Sequence, residues 1–271
     1  MTSLLKRCAA GLLVTLGFAM PASATTFSTD FTDLWYNPAE SGWGVNLIQQ
    51  NNVIFATLFV YASDNQPFWF VASNLQATSG NTFSGTLFQT SGPAFFQAFN
   101  PNAVVNSPVG SMTLTFNTAS TGTLVYTVNG TQVTKQVQRQ TWAGENLSGN
   151  YLGGLTASGT NCGNGATNGP VLIFDTLTVS HSGGQVTARV NFFNSSGTAS
   201  VCTFSGAYGQ NGRLGNVNGS FSCTFGSTPG NQGTFNISQI DATVNGFNGV
   251  FQGSDQFCNY NGFFGGVRDV I

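Results

Sequence analysis

The chain is written in short runs of β-branched and aromatic residues, each broken by glycine, asparagine, proline or serine, and no stretch of similar length shows a helical period. In the first half these runs are Val53 to Tyr61, Pro67 to Ala72, Thr82 to Phe88, Ser111 to Phe116, Gly122 to Val128 and Gln132 to Trp142. Asn51-Asn52, Asp64-Asn65 and Asn129-Gly130 stand where hairpin turns are needed, and the last pair is the strongest short-range hairpin signal of the three. The rhythm fails from Pro93 to Pro108, which predicts a long loop or an irregular crossover. The second half resumes it over Gly149 to Thr156, Val171 to Ser180, Gln185 to Phe193, Ser200 to Tyr208, Gly215 to Phe225, Thr234 to Val244, Gly246 to Gly253 and Gln256 to Val267. Turns are expected at His181-Ser182-Gly183-Gly184 and at Asn211-Gly212-Arg213. The pattern predicts an all-β protein of two antiparallel domains. The first is expected to be a meander barrel, the second a disulfide-stapled barrel or sandwich.

One segment departs from this style. Lys6 and Arg7 precede an apolar run from Ala9 to Met20, then Pro21 and the small residues Ala22-Ser23-Ala24. These are the three regions of a secretory signal peptide over residues 1–24, with cleavage expected after Ala24. The apolar run is shorter than the roughly 18 to 20 residues a spanning helix needs, and no later segment is long and apolar enough to cross a bilayer as a helix. Cys8 lies before the apolar core, so it leaves with the leader. The expected setting is therefore secreted, periplasmic or at a cell surface.

Composition fits that setting. Without Lys6 and Arg7 the chain has five basic residues against nine acidic ones, a net charge of −4. Phosphate binding needs clustered Lys and Arg, so a nucleic-acid partner is excluded. Only 6% of residues are charged, against about 25% in an ordinary globular protein. Solubility must come from Asn, Gln, Ser and Thr, while 41% hydrophobic residues leave ample material for a core.

Four cysteines remain, Cys162, Cys202, Cys223 and Cys258, all in the second half, and an even number in an exported chain reads as two disulfides. A hairpin centred between Gly212 and Arg213 places Cys202 directly across from Cys223, within bonding distance on one face. That register favours Cys202–Cys223 and leaves Cys162–Cys258 by elimination. No Cys-x-x-Cys pair exists and His181 is the single histidine, so neither a metal nor another cofactor is expected. The cysteines all follow Ala143 to Ser148, whereas Trp35, Trp43 and Trp69 precede it and Trp142 marks the join. Domains at 25–142 and 147–271 follow, with one large sandwich as the alternative. Each half opens on an aromatic beside an asparagine (Trp35-Tyr36-Asn37, Asn150-Tyr151) and ends with an arginine, Arg139 or Arg268.

The stretch Asn37-Pro38-Ala39-Glu40-Ser41-Gly42-Trp43-Gly44, followed by an aromatic strand pair and by Arg139-Gln140-Thr141-Trp142, resembles a box found in exported bacterial proteins of uncharacterised function. That resemblance implies a location and no activity. Trp35 on a first strand with Arg139 on a last strand is similar to the arrangement in avidin and lipocalin barrels, which implies a closed meander barrel. The biotin-binding residues of avidins do not map onto the chain as a set.

The densest candidate site comprises Trp35, Tyr36, Asn37, Glu40, Trp43, Tyr61 and Trp69. In one reading these line a pocket, with Gly42 and Gly44 letting the backbone approach a ligand. In the other, the same letters make a turn before a strand and Trp43 fills a barrel end. Alternation puts Phe68 and Phe70 on one face of their strand and Trp69 on the other, so an exposed Trp69 would offer a platform to sugar rings or an apolar surface. Catalysis has little support, because His181 sits in a glycine turn and no spacing singles out a carboxylate pair. The expectation is a non-enzymatic binding protein for a glycan, a small apolar ligand or a cell-surface component. The alternatives are a self-associating adhesive or structural protein and, third, a glycan-directed hydrolase.

Overall fold

The computed structural model describes residues 29–269, so the leader expected at 1–24 lies outside the described residues. Strands β1 (Asp33–Tyr36), β2 (Gly44–Gln50), β3 (Val53–Tyr61), β4 (Pro67–Ser79), β5 (Thr82–Ser91), β6 (Val105–Phe116), β7 (Thr121–Val128) and β8 (Thr131–Arg139) pair antiparallel in chain order, and β8 returns to β1. A second set does the same: β9 (Gly149–Thr160), β10 (Gly169–Ser182), β11 (Gln185–Phe193), β12 (Ala199–Asn211), β13 (Leu214–Phe225), β14 (Thr228–Thr243), β15 (Gly246–Asp255) and β16 (Asn259–Arg268), with β16 closing on β9. Both halves are closed up-and-down barrels, so the second is a barrel and not a sandwich. Closure gives every strand two neighbours and removes the sheet edges that would template aggregation.

Alternation decides which side chains turn inward. Along β3, Ile54, Ala56 and Leu58 are fully buried while Phe55 faces out, and along β11 the inward set is Val186, Ala188, Val190 and Phe192. At Asn129-Gly130 both residues have positive φ (47° and 84°), the geometry of a type I′ hairpin turn. Several expectations need correction. Strands β1 and β2 flank the box, whose turn residues mask the short hydrophobic pattern on either side. The long loop ends at Val104, and Pro108 lies inside β6 opposite Phe88, beside a register shift that accommodates its missing N–H. Strand β8 stops at Arg139, leaving Trp142 exposed in the connection between barrels. His181 and Ser182 belong to β10, so only Gly183-Gly184 turns.

The two barrels are plugged in the same way. Trp35 Nε1 donates to the carbonyl of Phe31 at 2.9 Å, and Tyr151 Oη donates to the carbonyl of Leu147 at 2.7 Å; each acceptor lies four residues upstream and is itself buried. Arg139, opposite Trp35 in register, lies 5.0 Å over its ring, and Arg268, opposite Tyr151, lies 5.1 Å over that ring. In the first barrel Phe31, Phe83 and Phe116 complete the plug, with Phe31 and Phe116 stacked 3.6 Å apart. In the second, Phe204 is ringed by Phe221, Phe235, Phe251 and Phe264.

The plugged ends meet. The β12–β13 hairpin tip reaches the first barrel, where the Arg213 backbone N–H donates to Asp33 at 2.9 Å and the Gly212 N–H to Thr141 Oγ1 at 2.8 Å. Arg213 also bridges Asp30 (2.6 Å) and Asp241 (2.8 Å), while Arg139 holds Asp33 from the other side at 3.0 Å. Gly212 has φ +61°, and a Cβ there would collide with Asp33 and Arg139. The free end of each barrel is thus the end opposite this junction. Among the described residues no buried side-chain polar atom lacks a hydrogen bond.

Candidate binding site

At the free end of the first barrel, the connection between β1 and β2 carries the box. Asn37 starts it as an Asx turn, its side chain accepting from the Ala39 N–H and its carbonyl from the Glu40 N–H. Glu40 Oε2 then accepts from Trp43 Nε1 (3.0 Å) and from Lys135 Nζ (2.6 Å), which reaches in from β8 and lies 5.6 Å over the Trp43 ring. The hydrogen bond from Lys135 is the main reason the Glu40 carboxyl is held below its ordinary value; slight burial opposes it, and Trp43 adds to it. Trp43 packs against the barrel core together with Val60, Phe68, Tyr126 and Val128. The box is thus a latch that folds a tryptophan lid over the barrel.

The seven residues picked out by sequence are divided among core, loop and outer wall. Trp35 is completely buried in the plug and is not available to an outside ligand. Asn37, Glu40 and Trp43 build the latch. Tyr36 is half-buried beside Gln138. Tyr61 and Trp69 face outward, roughly half exposed, on a wall where Gly44, Phe59 and Trp69 lie side by side on three neighbouring strands. Phe70 points into the core and Phe68 packs against it, as alternation requires. The two outward rings are the most exposed members of that set.

A deeper site lies at the free end of the second barrel. Strand β10 pairs with β11 only from Thr176 onward, so its distal half, Gly169–Asp175, is bonded to β9 alone and the wall splays there. The splay leaves an apolar cup of about 320 Å³. Leu155, Val171, Ile173 and Phe192 form its sides and Phe204, Phe221 and Phe251 its floor, with Phe225 and the Cys202–Cys223 disulfide on the wall. Cys202 and Cys223 are direct cross-strand partners. Polar groups appear at the rim, from Asn194, Ser195, Asn231 and Tyr260.

The rim is braced around Asp255. One carboxylate oxygen accepts the N–H groups of Phe257 and Cys258, and the other accepts Tyr260 Oη and Asn231 Nδ2, all at 2.8 Å. Burial alone would raise this carboxyl, but the four hydrogen bonds outweigh it and hold it below the usual aspartate value. Burial, reinforced by the Asp255 hydrogen bond, pushes the Tyr260 hydroxyl up to about 12. The Cys162–Cys258 disulfide ties this rim loop to the β9–β10 loop, helped by the Gly163 N–H donating to the Phe257 carbonyl at 2.8 Å. Two loops distant in sequence but adjacent on the rim, where β9 and β16 pair, are thereby fixed together. A wider and shallower groove of about 550 Å³ runs along the outer wall, lined by amides and hydroxyls such as Asn236, Gln252 and Asn261. It is less enclosed than the cup.

Sequence reasoning missed the cup. Its aromatic floor follows from inward alternation along β12, β13 and β15, but the splay that empties the volume comes from where hydrogen bonding between β10 and β11 stops, and no local signal marks that point. Among the described residues, no group of three His, Cys, Asp or Glu side chains is placed to hold a metal, and no helix is long and apolar enough to cross a membrane. Comparison with protein-family models, with curated proteins and with solved structures finds no match to this chain.

Proposed function

We propose that this is a non-catalytic binding protein acting outside the cytoplasm, whose second barrel takes a small, neutral, apolar ligand into its distal cup. The observation that carries this reading is the cup itself: about 320 Å³ of aromatic and aliphatic wall with polar groups confined to the rim. That volume falls at the lower end of the roughly 300–1,000 Å³ range of small-molecule sites, and such sites are mostly apolar with a few orienting polar groups. The ionisable groups nearest the mouth, Asp255 and Tyr260, are engaged with each other and with the loop backbone, which suits bracing better than proton transfer. Two disulfides in the same barrel favour an oxidising compartment.

Titration of the full chain with the neutral fluorophore N-phenyl-1-naphthylamine tests the reading. Saturable binding of one probe per chain is expected, lost when Val171→Trp or Leu155→Trp fills the cup and unchanged by Trp69→Ala on the other barrel. Binding that survives both filled variants, or that vanishes with Trp69→Ala, would refute it.

A further inference from the structure

The connection between β5 and β6, residues 92–104, sits at the free end of the first barrel and carries three phenylalanines that no described residue covers. Phe95, Phe96 and Phe99 are 99%, 76% and 74% exposed. The backbone beneath them is ordered by its own turns: the Gln97 N–H donates to the Ala94 carbonyl at 2.9 Å, and a 3-10 turn at Pro101–Ala103 is capped by the Asn100 side chain. Phe95 and Phe96 pack edge to face, 5.3 Å apart, as a paired tip. Exposed apolar groups of this size, held in place and not folded back, mark a contact surface.

Area and charge select what covers them. Three phenyl side chains offer at most about 450–750 Å², on a protruding loop, which falls short of the roughly 800 Å² per partner that a stable protein interface buries. A fluid bilayer, by contrast, closes around a protrusion of any shape. No Asp, Glu, Lys, Arg or His occurs from residue 65 to residue 134. The charged groups nearest this end are Asp64 and the Glu40–Lys135 pair, which neutralises itself. There is no cationic patch to seek acidic headgroups. Tyr61 and Trp69 stand behind the tip at the same end, where aromatic rings with one polar edge favour the headgroup level. We propose that loop 92–104 docks this protein reversibly on a neutral, zwitterionic lipid surface, with Phe95, Phe96 and Phe99 inserted and Asp64 limiting the depth.

Co-sedimentation of the full chain with phosphatidylcholine vesicles provides the test. Wild-type protein should partition to the vesicles, changing little with added salt or phosphatidylserine. The F95S/F96S/F99S variant should lose at least about a hundredfold in partitioning, given the apolar area removed, while Phe263→Ser, an exposed ring on the second barrel, should change nothing. Phe95→Ser alone, at the most exposed position, should lose several-fold and covers the case in which the triple variant folds poorly. Wild-type protein left in the supernatant would overturn the proposal, as would undiminished binding of the serine variants, or binding that requires anionic lipid and is removed by salt. A lipid-free dimer that the serine variants dissolve would overturn it too, by showing that a second copy covers the rings.

Discussion

The two barrels share one end and differ at the other. Each is plugged by an aromatic on its first strand that donates a hydrogen bond four residues back and lies under an arginine from its last strand. At the free end the first barrel folds its first loop inward and latches Trp43 over the core with Glu40 and Lys135. In the second barrel the corresponding loop is tied sideways, by Cys162–Cys258, to the last loop. A lid fills one barrel; in the other a strap along the rim, between neighbouring loops, leaves the mouth open. The same closure scheme thus yields a filled cylinder and a cup, depending on how the first free-end loop is anchored.

The largest test of the shared plug is Trp35→Ala, which should cost the first barrel about 3–5 kcal/mol, typical of removing a fully buried aromatic. Chemical denaturation should show the first barrel melting early while the second keeps its own transition; loss of both together would mean the barrels are one cooperative unit. Next, Cys162→Ser with Cys258→Ser should lower the second barrel by about 2–4 kcal/mol, because the bond closes a long loop spanning 96 residues of chain. The cup should then lose affinity for neutral probes while the first barrel stays unchanged, and an unaltered cup would show that the strap does not hold it.

Gly212→Ala should cost about 1–3 kcal/mol, by forcing a side chain into a left-handed position against Asp33 and Arg139. Its signature should be separation of the two calorimetric transitions, since the substitution strikes the junction and spares both cores. Tyr151→Phe removes only the hydroxyl shared by Leu147 and Arg268 and should cost about 1 kcal/mol, confined to the second barrel. The smallest difference concerns alkali. Burial raises Tyr208 and Tyr260 to about 12, so their neutral forms stabilise the second barrel fully below the ordinary tyrosine value near 10, and that contribution drains away as pH climbs from about 10 to 12. In the first barrel burial raises Tyr126, so the second barrel should weaken more steeply when thermal melting is followed across that window.

Much of the fold was legible because β-structure announces itself locally. Alternation separated Phe68 and Phe70 from Trp69 on opposite faces of β4, Asn129-Gly130 fixed a hairpin, and counting outward from Gly212-Arg213 paired Cys202 with Cys223. The hydrophobic pattern did not delimit β1 and β2, since the first is four residues long and the turn residues between them dominate; only the barrel resemblance put Trp35 on a first strand. Of the candidate site, alternation set Trp69 apart from Phe68 and Phe70 without deciding that it faced outward, and the burial of Trp35 depended on Phe116 and Arg139 arriving from β6 and β8.

By itself the sequence determined an all-β chain, a composition nearly free of charge and the concentration of cysteines in one half, because propensity, alternation and turn chemistry act over a few residues. Only the tertiary structure decided that the second half closes into a barrel and not a sandwich, that the plugged ends meet through Gly212 and Arg213, and that one free end is filled and the other hollow. Those outcomes depend on where strand pairing stops and which loop reaches which rim. They are set by contacts between residues 106 and 180 positions apart, such as Arg139–Asp33 and Arg213–Asp33, that no local pattern records.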